Sequence, residues 1–91
     1  MALGNLETGI PKLITASGNI KSGQGALLGI LVSASTSGTV TIYDDVGTGT
    51  TTKIVDTLPL TAGQYVMMPL TFTSGLNIVV GGTLTATVIY V

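Results

Sequence analysis

The run Ala26-Leu27-Leu28-Gly29-Ile30-Leu31-Val32-Ser33-Ala34-Ser35 alternates with a period of two. One set is Ala26, Leu28, Ile30, Val32 and Ala34, apolar throughout. The other is Leu27, Gly29, Leu31, Ser33 and Ser35. Successive side chains of a strand point to opposite faces, so the first set is expected to face a core. The same reading extends along the chain. Thr39-Val40-Thr41-Ile42-Tyr43-Asp44 places Val40 and Ile42 inward. Thr83-Leu84-Thr85-Ala86-Thr87-Val88 places Leu84, Ala86 and Val88 inward and three threonines outward. Leu76, Ile78 and Val80 form a fourth inward set.

Turn residues separate these runs. Ser37-Gly38, Val46–Thr50, Ala62-Gly63 and Ser74-Gly75 read as turns or loops, and Gly81-Gly82 reads as a two-residue hairpin. The expected strands are Leu13–Ala16, Asn19–Lys21, Ala26–Ser35, Thr39–Asp45, Thr52–Leu58, Gln64–Phe72, Leu76–Val80 and Thr83–Val91. No window of twelve residues suits a helix, and Thr and Val favour strands. The expected fold is an all-β antiparallel sandwich of jelly-roll type, with seven or eight short strands and no helix. Pro59 and Pro69 each remove a ladder donor and belong on edges or bulges. Residues 1–11 are expected to form an N-terminal arm and 12–91 a single sandwich domain.

Composition narrows the function. The 91 residues carry 8% charged side chains, 45% hydrophobic ones, 13 Gly and 16 Thr. Disorder requires low hydrophobicity and high charge. Phosphate binding requires a cationic surplus, whereas the net charge is −1 and Arg is absent. No nucleic-acid partner is expected. The longest apolar stretch, Gly25 to Val32, falls short of the ~20 residues that span a bilayer. Glu7 precedes any Lys and no apolar run follows it. The expectation is therefore a soluble chain with no membrane partner and no cleavable export signal.

Cys and His are both absent, which removes most metal chemistry and nearly all nucleophile–base pairs. Neither a catalytic residue, a metal site nor a cofactor is expected, and the chain reads as non-enzymatic. Asp44 and Asp45 end a strand, with Lys53 and Asp56 across the following loop. Calcium takes six to eight oxygens, more than these few carboxylates offer, and alternation sends the two side chains to opposite faces. They read as a charged strand end that discourages edge pairing. Gly23-Gln24-Gly25 followed by Gly29 lacks the spacing and the helix of a dinucleotide loop.

Two groups of apolar residues raise the question of a surface. Tyr65 and Met67 share one face of their strand and Met68 and Phe72 the other, so one pair is expected in the core. The final strand is apolar on both faces. Ile89 and Val91 continue the outward side of Thr83, Thr85 and Thr87, where a subunit contact or a covering arm would bury them. Leu3, Leu6, Ile10, Ile89, Tyr90 and Val91 are the expected interface residues. An arm of spaced apolar residues, with Pro11 stopping its entry into the first strand, is expected to dock on a neighbouring subunit or shell. So few charges and no disulfide point to a homo-oligomer, a trimer or alternatively a dimer.

Gly25-Ala26-Leu27-Leu28-Gly29-Ile30-Leu31-Val32 followed by Ser37-Gly38-Thr39-Val40-Thr41-Ile42-Tyr43-Asp44 resembles short virion proteins of tailed bacteriophages. So does Leu60-Thr61-Ala62-Gly63-Gln64 before Phe72-Thr73-Ser74-Gly75-Leu76-Asn77-Ile78-Val79-Val80-Gly81-Gly82. Such proteins are small β-sandwich capsid decoration or cement proteins, or short head-fibre modules. The resemblance implies a structural virion protein that binds the outside of a phage capsid and stabilises it. Its partner would be the phage major capsid protein and its place the capsid surface, after synthesis in the host cytoplasm. The alternative it implies is a host- or carbohydrate-binding module of a phage fibre or tail. A low aromatic count favours the clamp, because sugar sites use exposed aromatic platforms.

Overall fold

A computed structural model describes residues 9–91. It contains six strands: β1 Ile10–Ile14, β2 Gly18–Ser22, β3 Gly25–Tyr43, β4 Lys53–Pro59, β5 Tyr65–Phe72 and β6 Gly75–Tyr90. All pairings are antiparallel and belong to one sheet. The described residues contain no helix. The all-β antiparallel expectation is met, but the strands are fewer and two of them are longer than expected.

The expected breaks at Ser37-Gly38 and Gly81-Gly82 are bends inside continuous strands. Strands β3 and β6 run side by side, from Leu27 opposite Tyr90 to Tyr43 opposite Asn77. At the bend, Thr36 pairs with Thr83 and Thr39 with Gly81, so two residues of β3 lie opposite one of β6. That is a β-bulge, which bends a strand and increases its twist. A two-residue hairpin of the expected kind needs positive φ at both central positions. Here only one residue of each pair has it, Ser37 at φ 54° and Gly82 at φ 67°. Ser35 fixes the bend from the side. Its hydroxyl donates to the Leu60 carbonyl at 2.8 Å and accepts from the Gly38 N–H at 3.0 Å.

The bend divides the sheet into two halves. Before it, β3 pairs with β5 and with the C-terminal part of β6, which also pairs with β1. After it, β3 pairs with β4 and with the N-terminal part of β6, which also pairs with β2. Inward side chains of both halves form one core cluster. Leu27, Ile30, Val32, Phe72, Leu84, Ala86 and Val88 come from the first half, and Val40, Ile42, Leu76 and Ile78 from the second.

Inward assignments within β3 are corrected. Leu27, not Leu28, is fully buried, and Ala34 is exposed. Register shifts between Leu27 and Gly29, and again between Val32 and Ala34, reset the alternation. Leu27 and Ile30, three residues apart, thereby reach the same face. The three prolines of the strands, Pro11, Pro59 and Pro69, lie in β1, β4 and β5. Each of these strands pairs on one side only, so the missing N–H can point away from the ladder. Ile10 and Pro11 open β1, opposite Tyr90 and Ile89, so the first strand begins inside the segment expected to be an arm. Leu3 and Leu6 lie outside the described residues.

Gly82 takes a left-handed backbone, and a Cβ there would collide with the Ser37 carbonyl oxygen. Left-handed geometry alone costs an L-residue roughly 1–2 kcal/mol. Gly82→Ala is therefore expected to destabilise the fold by about 2 kcal/mol or more. Urea titration checks this; an unchanged midpoint would show that the bend tolerates a side chain.

Candidate interaction surface

The outward faces of the two halves differ. In the second half most outward positions are polar, with Val79 the apolar exception, and those around Asn77 are covered. Asn19 pairs opposite Asn77, and Asn77 opposite Tyr43. The loop that follows β3 is tied to them. Asn77 is 2% exposed and donates through Nδ2 to the Gly49 carbonyl at 2.9 Å. The Asn19 Nδ2 donates to the carbonyls of Gly47 at 2.6 Å and Asp45 at 3.2 Å, and the Ser22 hydroxyl to that of Val46 at 2.8 Å. Burying an amide costs free energy unless it is hydrogen-bonded. Among the described residues no buried side-chain polar atom lacks a partner.

Asp44 and Asp45 diverge, each engaged with backbone. Asp45 Oδ1 accepts from the N–H groups of Gly47 at 2.8 Å and Gly49 at 3.1 Å, bracing its own loop. Asp44 caps the turn between β5 and β6. Its Oδ2 accepts from the Thr73 N–H and hydroxyl, both at 3.0 Å. Its Oδ1 accepts from the N–H groups of Ser74 at 2.8 Å and Gly75 at 3.2 Å. Donors aimed at a carboxylate favour its charged form. The Thr73 N–H, then that of Ser74, hold the Asp44 carboxyl at about 2, below its ordinary 3.8. Asp56 is also lowered, first by the Thr57 hydroxyl and then by Lys53, whose Nζ lies 3.2 Å from Oδ1. Both carboxylates are thus structural. Among the described residues no cluster of three or more Asp, Glu, His or Cys could hold a metal.

The outward face of the first half is apolar and open. Following the pairings, it carries Pro11 and Leu13 from β1, Thr87 and Ile89 from β6, Leu28 and Leu31 from β3, and Tyr65, Met67 and Pro69 from β5. None of these is charged. Exposure reaches 63% at Leu13, 45% at Leu31, 48% at Tyr65 and 74% at Met67. Tyr65 lies across Gly29, where a Cβ would come within 2.8 Å of its hydroxyl oxygen. Leu28, Tyr65, Met67 and Pro69 line a groove of ≈ 420 Å³. As expected from alternation, Phe72 is buried and Met68 packs against the core, while Tyr65 and Met67 face outward.

The expected interface residues fall on two sides of the sheet. Ile89, opposite Pro11, faces outward and belongs to this surface. Tyr90, opposite Ile10 and Leu27, packs against the core. Ile10 is 54% exposed and Val91 42%, at the margin of the same half. The reading of the sequence missed Leu13, Leu28 and Leu31. Leu31 was legible as an apolar residue on the face opposite Ile30. Leu28 was not, because the bulge beside it reverses its side.

No family model, no curated protein and no solved structure matches this chain.

Asp44 gives the pH dependence its sign. In the unfolded chain its carboxyl titrates near 3.8 and in the folded chain at about 2. Its contribution to stability is complete above the first value and is lost as pH falls toward the second. Asp44→Asn removes it at every pH. The stability gap between native protein and variant is expected to be widest near neutral pH and to narrow between pH 3.8 and about 2. Urea midpoints across that window check it; a gap independent of pH would contradict the capping role.

Proposed function

We propose that the chain is a non-catalytic structural subunit of a phage virion. In this reading it is a jelly-roll sandwich that associates as a homo-oligomer, a trimer or alternatively a dimer. It binds the outside of the capsid and stabilises it. The observation that carries the reading is the asymmetry of the outward faces: one mostly polar and partly covered by its own loop, the other largely apolar and exposed, with no charged residue among those described on it. Large exposed apolar patches mark sites of protein contact.

The strand order supports the jelly-roll assignment. Counted in halves at the bend, the chain has eight strands in two groups. The first strand lies beside the eighth, the eighth beside the third and the third beside the sixth. In the other group the second lies beside the seventh, the seventh beside the fourth and the fourth beside the fifth. A jelly roll distributes its eight strands over two sheets in this order.

A subunit of this kind works by burying its apolar face across a seam between larger neighbours. It binds the assembled shell in preference to free subunits, and so stabilises the shell by mass action. The carbohydrate-binding alternative is less well served, since Tyr65 is the one aromatic residue with a largely exposed side chain among the described residues. The test is to strip the protein from particles and add it back. Stripped particles are expected to lose heat and osmotic resistance and to regain it on addition of the purified protein. Unchanged resistance would overturn the clamp, and binding at a fibre tip would favour the alternative.

A further inference from the structure

Among the described residues four strands, β1, β2, β4 and β5, pair on one side only. An edge strand offers unpaired backbone groups to another chain, and a lysine on the edge is one of the devices that prevent this. The chain has three cationic side chains, all of them lysine. Lys12 lies in β1, Lys21 in β2 and Lys53 in β4. Strand β5 has no charged residue. Its inward side chains Val66, Met68 and Leu70 are only half-buried, so the core is open along this edge. Its outward side chains Tyr65 and Met67 are exposed.

The free edge has a definite frame. The Val32 N–H donates to the Gln64 carbonyl at 2.8 Å, which turns Gln64 toward β3. Alternate residues of an antiparallel strand bond to the same neighbour. Val66, opposite Ile30, therefore bonds to β3, and Tyr65 and Met67 hold their N–H and C=O groups toward the open side. In one direction the frame ends at Pro69, which has no N–H, beside the register shift between Leu27 and Gly29. In the other it ends at Gly63, whose N–H already donates to the Val32 carbonyl at 2.8 Å.

We propose that β5 pairs antiparallel with β5 of a second copy of this chain, about a two-fold axis at Val66. The inference rests on the homo-oligomer of the reading above and selects its dimer, because one strand edge takes one partner. The register follows by elimination. Centred on Val66, Tyr65 lies opposite the partner's Met67 and the two exchange both backbone bonds. Val66 then meets the partner's Val66 as a non-hydrogen-bonded pair, as its own bonding to β3 requires. Centred on Tyr65, Met67 would meet the partner's Gly63, whose N–H is spent. Centred on Met67, Tyr65 would meet the partner's Pro69, which has none. A second copy is the fitting occupant because the edge is complementary to itself. A two-fold contact sets the same patch on both sides, and an uncharged patch meets its own copy without like-charge repulsion. Tyr65 against the partner's Met67 also brings a thioether to an aromatic ring, a favourable contact. Leu31, opposite Tyr65, lies beside the seam, and the outward apolar faces of the two copies join into one surface.

The chain has no cysteine, so one engineered thiol reports without background. In the full chain, Val66→Cys sets two sulfurs across the axis, where non-hydrogen-bonded partners have Cα atoms ~4.5 Å apart, within disulfide range. After mild oxidation a non-reducing gel is expected to show mostly covalent dimer. Thr71→Cys, on the same strand beyond Pro69, is expected to stay mostly monomeric. Equal crosslinking of the two variants, or none through Val66→Cys, would overturn the pairing. A second variant leaves the core alone: Met67→Lys supplies β5 with the lysine that the other edges carry. Circular dichroism is expected to show it folded, and sedimentation to show a dimer dissociation constant raised roughly tenfold or more. An unchanged constant would overturn the proposal as well. Sedimentation of the native chain separates the two claims. A native oligomer that survives Met67→Lys and does not crosslink through Val66→Cys removes β5 from the contact and leaves the homo-oligomer standing. A monomeric native chain removes both.

Discussion

Strands β3 and β6 are hydrogen-bonded along most of their length, and the bend they share is the constraint on which the rest depends. Without it they would form one long, flat ribbon with two open faces. Leu27, Ile30, Ile42 and Leu76, all fully buried, would then lie on an exposed surface. The bend requires a bulge of two residues against one, with left-handed backbone at Ser37 and Gly82. Its local strain is held in place by the Ser35 hydroxyl and by the pairing on either side of it. Since the inward side chains of both halves meet in one cluster, the described residues form a core without a helix or a disulfide.

Folding the sheet about that bend makes two outward faces, and these have different fates. The loop after β3 closes over one of them through Asn19, Asn77 and Asp45, with backbone carbonyls accepting from buried amides. Among the described residues nothing comparable covers Leu13, Leu31 and Met67 on the other. Charge follows the same division. Lys53 and Asp56 sit in β4, on the half whose outward face is mostly polar, whereas none of the described residues on the apolar face is charged. Threonine hydroxyls such as that of Thr87 are the main polar relief there. Such a surface is stable when covered.

Much of the fold was legible in the sequence because alternation is a local property. Val40, Ile42, Leu76, Ile78, Leu84, Ala86 and Val88 were placed inward and are buried. What failed was whatever depended on a bulge. Leu28 exchanged sides with Leu27 because an extra residue resets the period, and a period-two reading carries no signal for that. Gly81-Gly82 and Ser37-Gly38 have the composition of turns. Composition cannot tell a hairpin from a bend that two long strands share, since the difference lies in which residues take positive φ. The surface was legible only in part. Ile89, Tyr65 and Met67 stood out as apolar residues on an outward side. Leu31 stood on the side opposite Ile30 without being singled out, and Leu13 joined them only when pairing set four strands side by side.

The central claim is that the apolar outward face of the first half is the contact surface of the molecule. Leu31 lies within it, is 45% exposed and supports no part of the core. The most direct measurement is sedimentation equilibrium of the native protein and of Leu31→Lys at micromolar concentration, with circular dichroism to confirm that both are folded. The account predicts that the native chain sediments as an oligomer and that the folded variant shifts toward the monomer, because a lysine inside a contact would have to be desolvated without a partner. A monomeric native protein, or a variant that associates as well as the native chain, would contradict it.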